Sequence, residues 1–195
     1  MKIYKKCDTI TYANINNSGE FMSKETDIFI KDRADPYVTI GDDGWYYFTA
    51  SYPMYGKDDK EGYDRIILRR SETIDGLKTA EEKVIWDEKE SDSSFRFIWA
   101  PEIHKIGDRW YIIACAVFSE DAMPKGTMPM GNGNDVYEDY YRYAFVLESN
   151  TEDIFGDYTF KGILAPDGLN NIDGTYLFKD GKLYYVCSAY LATGF

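Results

Sequence analysis

The chain has 195 residues, 44% hydrophobic and 17% aromatic, with 34 acidic against 22 basic side chains and a net charge of −12. That sign excludes nucleic acid and anionic membrane surfaces as main partners, because phosphate binding needs a lysine and arginine excess; the hydrophobic share is too high for a disordered acidic tail. No run approaches the ~18 apolar residues of a membrane-spanning helix, and three cysteines without CxxC spacing imply neither a disulfide framework nor a thiolate zinc site.

The opening Met1-Lys2-Ile3-Tyr4-Lys5-Lys6-Cys7 lacks the apolar stretch of a signal peptide. A cytoplasmic location is expected, or a secreted one if a leader has been removed. Strand signals then follow in order. Residues 37–40 and 45–51 flank a turn at Gly41-Asp42-Asp43-Gly44, residues 65–71 run into a polar turn, and 83–86 close the group. Residues 103–106 and 110–115 flank Gly107-Asp108-Arg109, followed by strands at 144–149 and 158–164. A third hairpin joins 176–179 to 183–188 through Asp180-Gly181-Lys182. Cys115 and Cys187 sit in apolar runs and read as buried thiols, and the Arg69-Arg70 pair reads as a solvated strand end. Two long loops, 52–62 and 119–141, are candidates to cover a site.

One hairpin is thus written three times: Tyr46, Tyr111 and Tyr184 stand 65 and 73 residues apart. Four strands per repeat, with no helical segment between, predict an all-β propeller with about three four-stranded blades in one partial domain over 1–195, at roughly 30–90, 95–165 and an incomplete 170–195. A β-sandwich is the runner-up, but it does not explain the recurrence. Propellers close with four to eight blades, so an open ring leaves strand edges through which self-association is expected.

Three acids stand where each hairpin begins: Asp35 in Ala34-Asp35-Pro36-Tyr37-Val38, Glu102 in Trp99-Ala100-Pro101-Glu102-Ile103-His104, and Asp173 in Ile172-Asp173-Gly174-Thr175. First strands line a propeller's axis, so repeat-equivalent acids are expected to converge there and raise one another's pKa.

These three motifs, with Tyr63-Asp64-Arg65-Ile66-Ile67-Leu68-Arg69-Arg70 and Tyr143-Ala144-Phe145-Val146-Leu147-Glu148, resemble glycoside hydrolase family 43, most closely its α-L-arabinofuranosidase and β-xylosidase group, over residues 30 to 190. The resemblance implies a five-bladed propeller that cleaves terminal α-L-arabinofuranosyl or β-xylosyl residues of an oligosaccharide or polysaccharide with inversion. It implies Asp35 as general base, Asp173 as the carboxylate that modulates the acid's pKa, and Glu102, with Trp99 beside it, as sugar-binding residues. His104, the only histidine, reads as a buried or edge imidazole of a strand and is a further candidate for substrate binding as a channel-lining residue. An inverting site needs its base and acid roughly 6.5–9.5 Å apart, leaving room for water. The resemblance places the general-acid glutamate in a later blade, beyond Phe195; no glutamate here matches its motif, and the chain alone is expected to be weakly active or inactive. The alternative is a non-catalytic carbohydrate-binding propeller fragment. No cofactor and no catalytic metal are expected, with a structural calcium ion left open.

Overall fold

The computed structural model describes residues 28–53, 62–87, 95–127 and 141–190. The chain divides into residues 1–31 and 32–195, and every described strand belongs to the second unit. Most of both long loops, and Cys7, lie outside the described residues.

The strands are β1 (Ala34–Ile40), β2 (Tyr46–Ser51), β3 (Arg65–Ser71), β4 (Lys83–Asp87), β5 (Phe95–Ile106), β6 (Arg109–Phe118), β7 (Tyr141–Ser149), β8 (Tyr158–Leu164), β9 (Asn170–Lys179) and β10 (Lys182–Tyr190). They form two four-stranded antiparallel meanders, β1-β2-β3-β4 and β5-β6-β7-β8, and a two-stranded sheet of β9 and β10. Meanders following one another along the chain are the construction of propeller blades.

The hairpin turns are dictated locally. Ile106 pairs with Arg109 across Gly107-Asp108, and Gly107 has φ +65°; glycine at the first position is what a type II′ turn requires. Lys179 pairs with Lys182 across Asp180-Gly181, with φ of +53° and +73°. That is a type I′ turn, for which Asp-Gly is a preferred pair because both central residues need positive φ.

Burial explains why the middle sheet reads differently from its neighbours. Trp110, Ile112, Ala114, Ala116 and Phe118 of β6 join Tyr47, Ile66, Leu68, Ile98, Ile103 and Phe145 in the main core. The alternate residues Ile113 and Cys115 pack with Ala144 against Ile172, Tyr176 and Tyr185 of the third sheet. With both faces covered, β6 is a continuous apolar run instead of an alternating one. By contrast Leu177, Tyr184 and Val186 of the third sheet are exposed.

Three expectations change. The first strand of the second hairpin starts at Phe95, well before residue 103, and β9 starts at Asn170, so the predicted acids lie within strands. Cys115 is buried, but Cys187 is only half-buried. Arg69 is not a solvated end: with Arg33 it grips Glu82 at the edge of the first sheet, its Nη2 2.9 Å from the carboxylate. Burial opposes ionisation of Glu82, but the two guanidiniums outweigh it and hold the carboxyl below its ordinary range.

Candidate active site

Each hairpin's first strand carries one extra residue at the same place. Ala34 pairs with Ser51 and Tyr37 with Thr49; Trp99 pairs with Cys115 and Glu102 with Ile113; Ile172 pairs with Ser188 and Thr175 with Val186. In each case three steps on the first strand face two on its partner, which is a β-bulge, a device that re-aims a side chain. The residue after the first pair adopts positive φ: Asp35 at 48°, Ala100 at 45° and Asp173 at 52°. Aspartate tolerates that region better than branched residues.

The register corrects the expected equivalence of the three acids. Asp35 and Asp173 occupy one repeat position, and Ala100 fills it in the second sheet. Glu102 stands two residues further on, matching Tyr37 and Thr175.

The charge on Asp35 acts on Asp173. Asp173 keeps contact with solvent, yet partial burial and then the charge on Asp35 raise its carboxyl above the ordinary aspartate range. The Ser51 hydroxyl donates to Asp35 Oδ2 at 2.9 Å. On the other side, the Asp173 backbone N–H donates to Cys115 Sγ at 3.2 Å. Burial pushes the Cys115 thiol up to about 12, so it stays a neutral acceptor at physiological pH. Beneath Asp173, the Tyr185 hydroxyl donates to Asn171 Oδ1 at 2.6 Å, while Asn171 Nδ2 donates to the carbonyls of Leu164 and Leu169.

A second group forms around Glu102. Its Oε2 lies 2.9 Å from His104 Nε2, and His104 Nδ1 lies 3.4 Å from the Tyr37 hydroxyl. Next to a carboxylate, Nε2 carries the proton that it donates to Glu102, and Nδ1 faces the Tyr37 phenol. The imidazole is flanked by Tyr37 and Tyr176, with ring centroids 5.3 and 5.4 Å away. Burial and then the Glu102 charge raise the Tyr37 phenol, keeping it a donor. His104 therefore links the first strands of all three sheets. Trp99 stacks on Phe97 with centroids 5.9 Å apart, stands 6.0 Å from Tyr63, and lies under the Arg142 guanidinium at 5.7 Å. Flat aromatic faces of this kind suit a sugar ring.

Sequence reading missed Ser51, Tyr37, Tyr176 and Cys115. No sequence signal marks Ser51 or Cys115: only when the hairpins are aligned on their bulges do both stand opposite the residue before the positive φ. Among the described residues no group of three or more His, Cys, Asp and Glu side chains is arranged to hold a metal ion.

Successive antiparallel meanders whose first strands carry Asp35 and Asp173 at one bulge position define an all-β chain of propeller type. Residues 27–193 match the glycosyl hydrolases family 43 pattern, and the chain belongs to that family. It is 49% identical over 160 residues to alpha-L-arabinofuranosidase 43 of Humicola insolens, covering 80% of this chain and 28% of that protein. It is 46% identical over 92 residues to an extracellular exo-alpha-(1->5)-L-arabinofuranosidase of Streptomyces chartreusis, covering 47% and 26%. The crystal structure of an alpha-L-arabinofuranosidase from Lactobacillus brevis superposes with a TM-score of 0.65 and 31% identity, over 85% of this chain and 47% of that one. An endo-arabinase from Bacteroides thetaiotaomicron shares the fold at 19% identity and a TM-score of 0.51. The chain thus spans about a quarter of the length of those two curated relatives. The Streptomyces relative is extracellular by name, which gives no support to a cytoplasmic location; no described helix is long and apolar enough to cross a membrane.

Proposed function

We propose that this chain carries the base side of an inverting glycosidase site that acts on terminal α-L-arabinofuranosyl groups, with β-xylosyl groups as the other candidate. Asp35 takes the proton from the attacking water, and Asp173 is the second carboxylate, whose charge sets the protonation of the acid. Glu102, His104 and Trp99 bind the sugar, the first two through hydrogen bonds and the indole through its face. No glutamate of this chain is assigned as proton donor to the leaving group. The ring is taken to have five blades, as the family resemblance implies.

The observation that carries the reading is the pairing of Asp35 and Asp173 on the same bulge of two hairpins, with the charge of one acting on the other. The arabinofuranosidase names among the relatives support the choice of sugar.

The test follows from leaving-group chemistry. A good leaving group departs without a proton, so 2,4-dinitrophenyl α-L-arabinofuranoside bypasses general-acid help, which is worth roughly 10²–10⁴-fold. The chain is expected to hydrolyse it in preference to the 4-nitrophenyl glycoside, and Asp35→Asn is expected to remove that activity. Turnover that survives Asp35→Asn contradicts the assignment, and saturable binding of arabino-oligosaccharides without any hydrolysis favours the carbohydrate-binding alternative.

A further inference from the structure

Ser51 ends β2 and has no exposed surface. A serine hydroxyl has one proton to give and lone pairs to receive, and here both are used between two sheets. The backbone N–H of Ala100, the bulge residue of the second sheet, donates to Ser51 Oγ at 2.7 Å. The hydroxyl proton is left to donate to Asp35 Oδ2 at 2.9 Å. A donor pointed at a carboxylate makes a charge-assisted hydrogen bond, about twice as strong as a neutral one.

The arrangement recurs one repeat later. Cys115 stands opposite Trp99 as Ser51 stands opposite Ala34. Its sulfur receives the N–H of Asp173, the bulge residue of the next sheet. The same position thus receives the next bulge's N–H twice, once through oxygen and once through sulfur. Only the oxygen version gives its proton to the bulge residue of its own hairpin; in the second sheet that residue is Ala100, which has no carboxylate.

We propose that Ser51 is a positioning residue for Asp35: anchored by the Ala100 N–H of the neighbouring sheet, its hydroxyl fixes where the base carboxylate stands relative to Asp173. The proposal deepens the glycosidase reading and rests on it for the role of Asp35. The geometry itself is testable without any turnover. Two like charges repel, so an Asp35 carboxylate released from its tether relaxes away from Asp173. Asp173 is the reporter, because the Asp35 charge from β1 acts on it while Cys115 from β6 is a neutral thiol.

The experiment is a carboxyl ¹³C NMR titration of Asp173 in the full chain and its variants. Asp35→Asn sets the size of the coupling and is expected to lower the Asp173 midpoint. Ser51→Ala is expected to lower it in the same direction by a smaller amount, and Ser51→Thr, which keeps the hydroxyl, is expected to leave it at the wild-type value. Should Ser51→Ala fail to fold, Ser51→Cys is read in its place: it keeps the acceptor that Cys115 proves adequate and loses the strong donor. A midpoint unmoved or raised by loss of the hydroxyl, or unmoved by Asp35→Asn, overturns the proposal. A wild-type chain that titrates as expected yet hydrolyses no arabinofuranoside contradicts the glycosidase reading and leaves the Ser51 tether standing.

Discussion

Asp173 is where the site and the stability of the chain conflict. Partial burial and the Asp35 charge raise its carboxyl in the folded state above the value it has in an unfolded chain. Between those two values the native state holds a proton that the unfolded chain has released, so stability falls as pH rises through that window and the loss is complete above it. Asp173→Asn removes the penalty. The variant is expected to be more stable than wild type at neutral pH, by less than about 1 kcal/mol because solvent reaches the carboxyl, and no more stable at acid pH. Thermal unfolding at both pH values checks this, and a difference that does not change with pH contradicts it. The same substitution is expected to impair hydrolysis, the usual exchange of activity for stability at a site held under strain.

At the scale of the element, the bulge is the unit that matters. Gly174 follows Asp173 because a Cβ there would run into the Tyr185 ring. That ring cannot swing aside cheaply, since its hydroxyl is tied to Asn171 Oδ1 at 2.6 Å. Gly174→Ala is therefore expected to destabilise the chain by about 1–3 kcal/mol, the range for overpacking, read as a lowered denaturant midpoint; a midpoint equal to wild type contradicts the packing described.

The strands themselves were legible in the sequence. Turn residues such as Asp180-Gly181 and runs such as Tyr184-Tyr185-Val186 encode a hairpin through local chemistry alone. The bulges were not legible, because an extra residue shows only when one strand is laid against its partner. Three acids near three strand starts looked equivalent for that reason, although Ala100, and not Glu102, matches Asp35 and Asp173. Ser51 escaped notice on the same ground: a serine at a strand end has no distinguishing pattern until Ala100 and Asp35 are brought to it from distant parts of the chain. Trp99 and His104 carried their signal in the motif around Glu102, yet the contacts of His104 with Tyr37 and Tyr176 depend on three sheets meeting.

Across residues 32–195 the second sheet organises the rest. β6 gives one face to the first sheet's core and the other to Ile172, Tyr176 and Tyr185, so both bulge acids are set relative to a common support. Two hydrogen bonds at equivalent positions, Ala100 N–H to Ser51 and Asp173 N–H to Cys115, join the sheets at the level of those acids. Held by this framework, Asp35 and Asp173 are proposed to work as one unit. Groups that act as a unit lose their function together, so their effects on rate are far from additive. The direct measurement is kcat/KM on 2,4-dinitrophenyl α-L-arabinofuranoside for Asp35→Asn, Asp173→Asn and the double variant. The double variant is expected to be little worse than the poorer single one; losses that multiply independently, or a single substitution without effect, contradict the two acids acting as a unit.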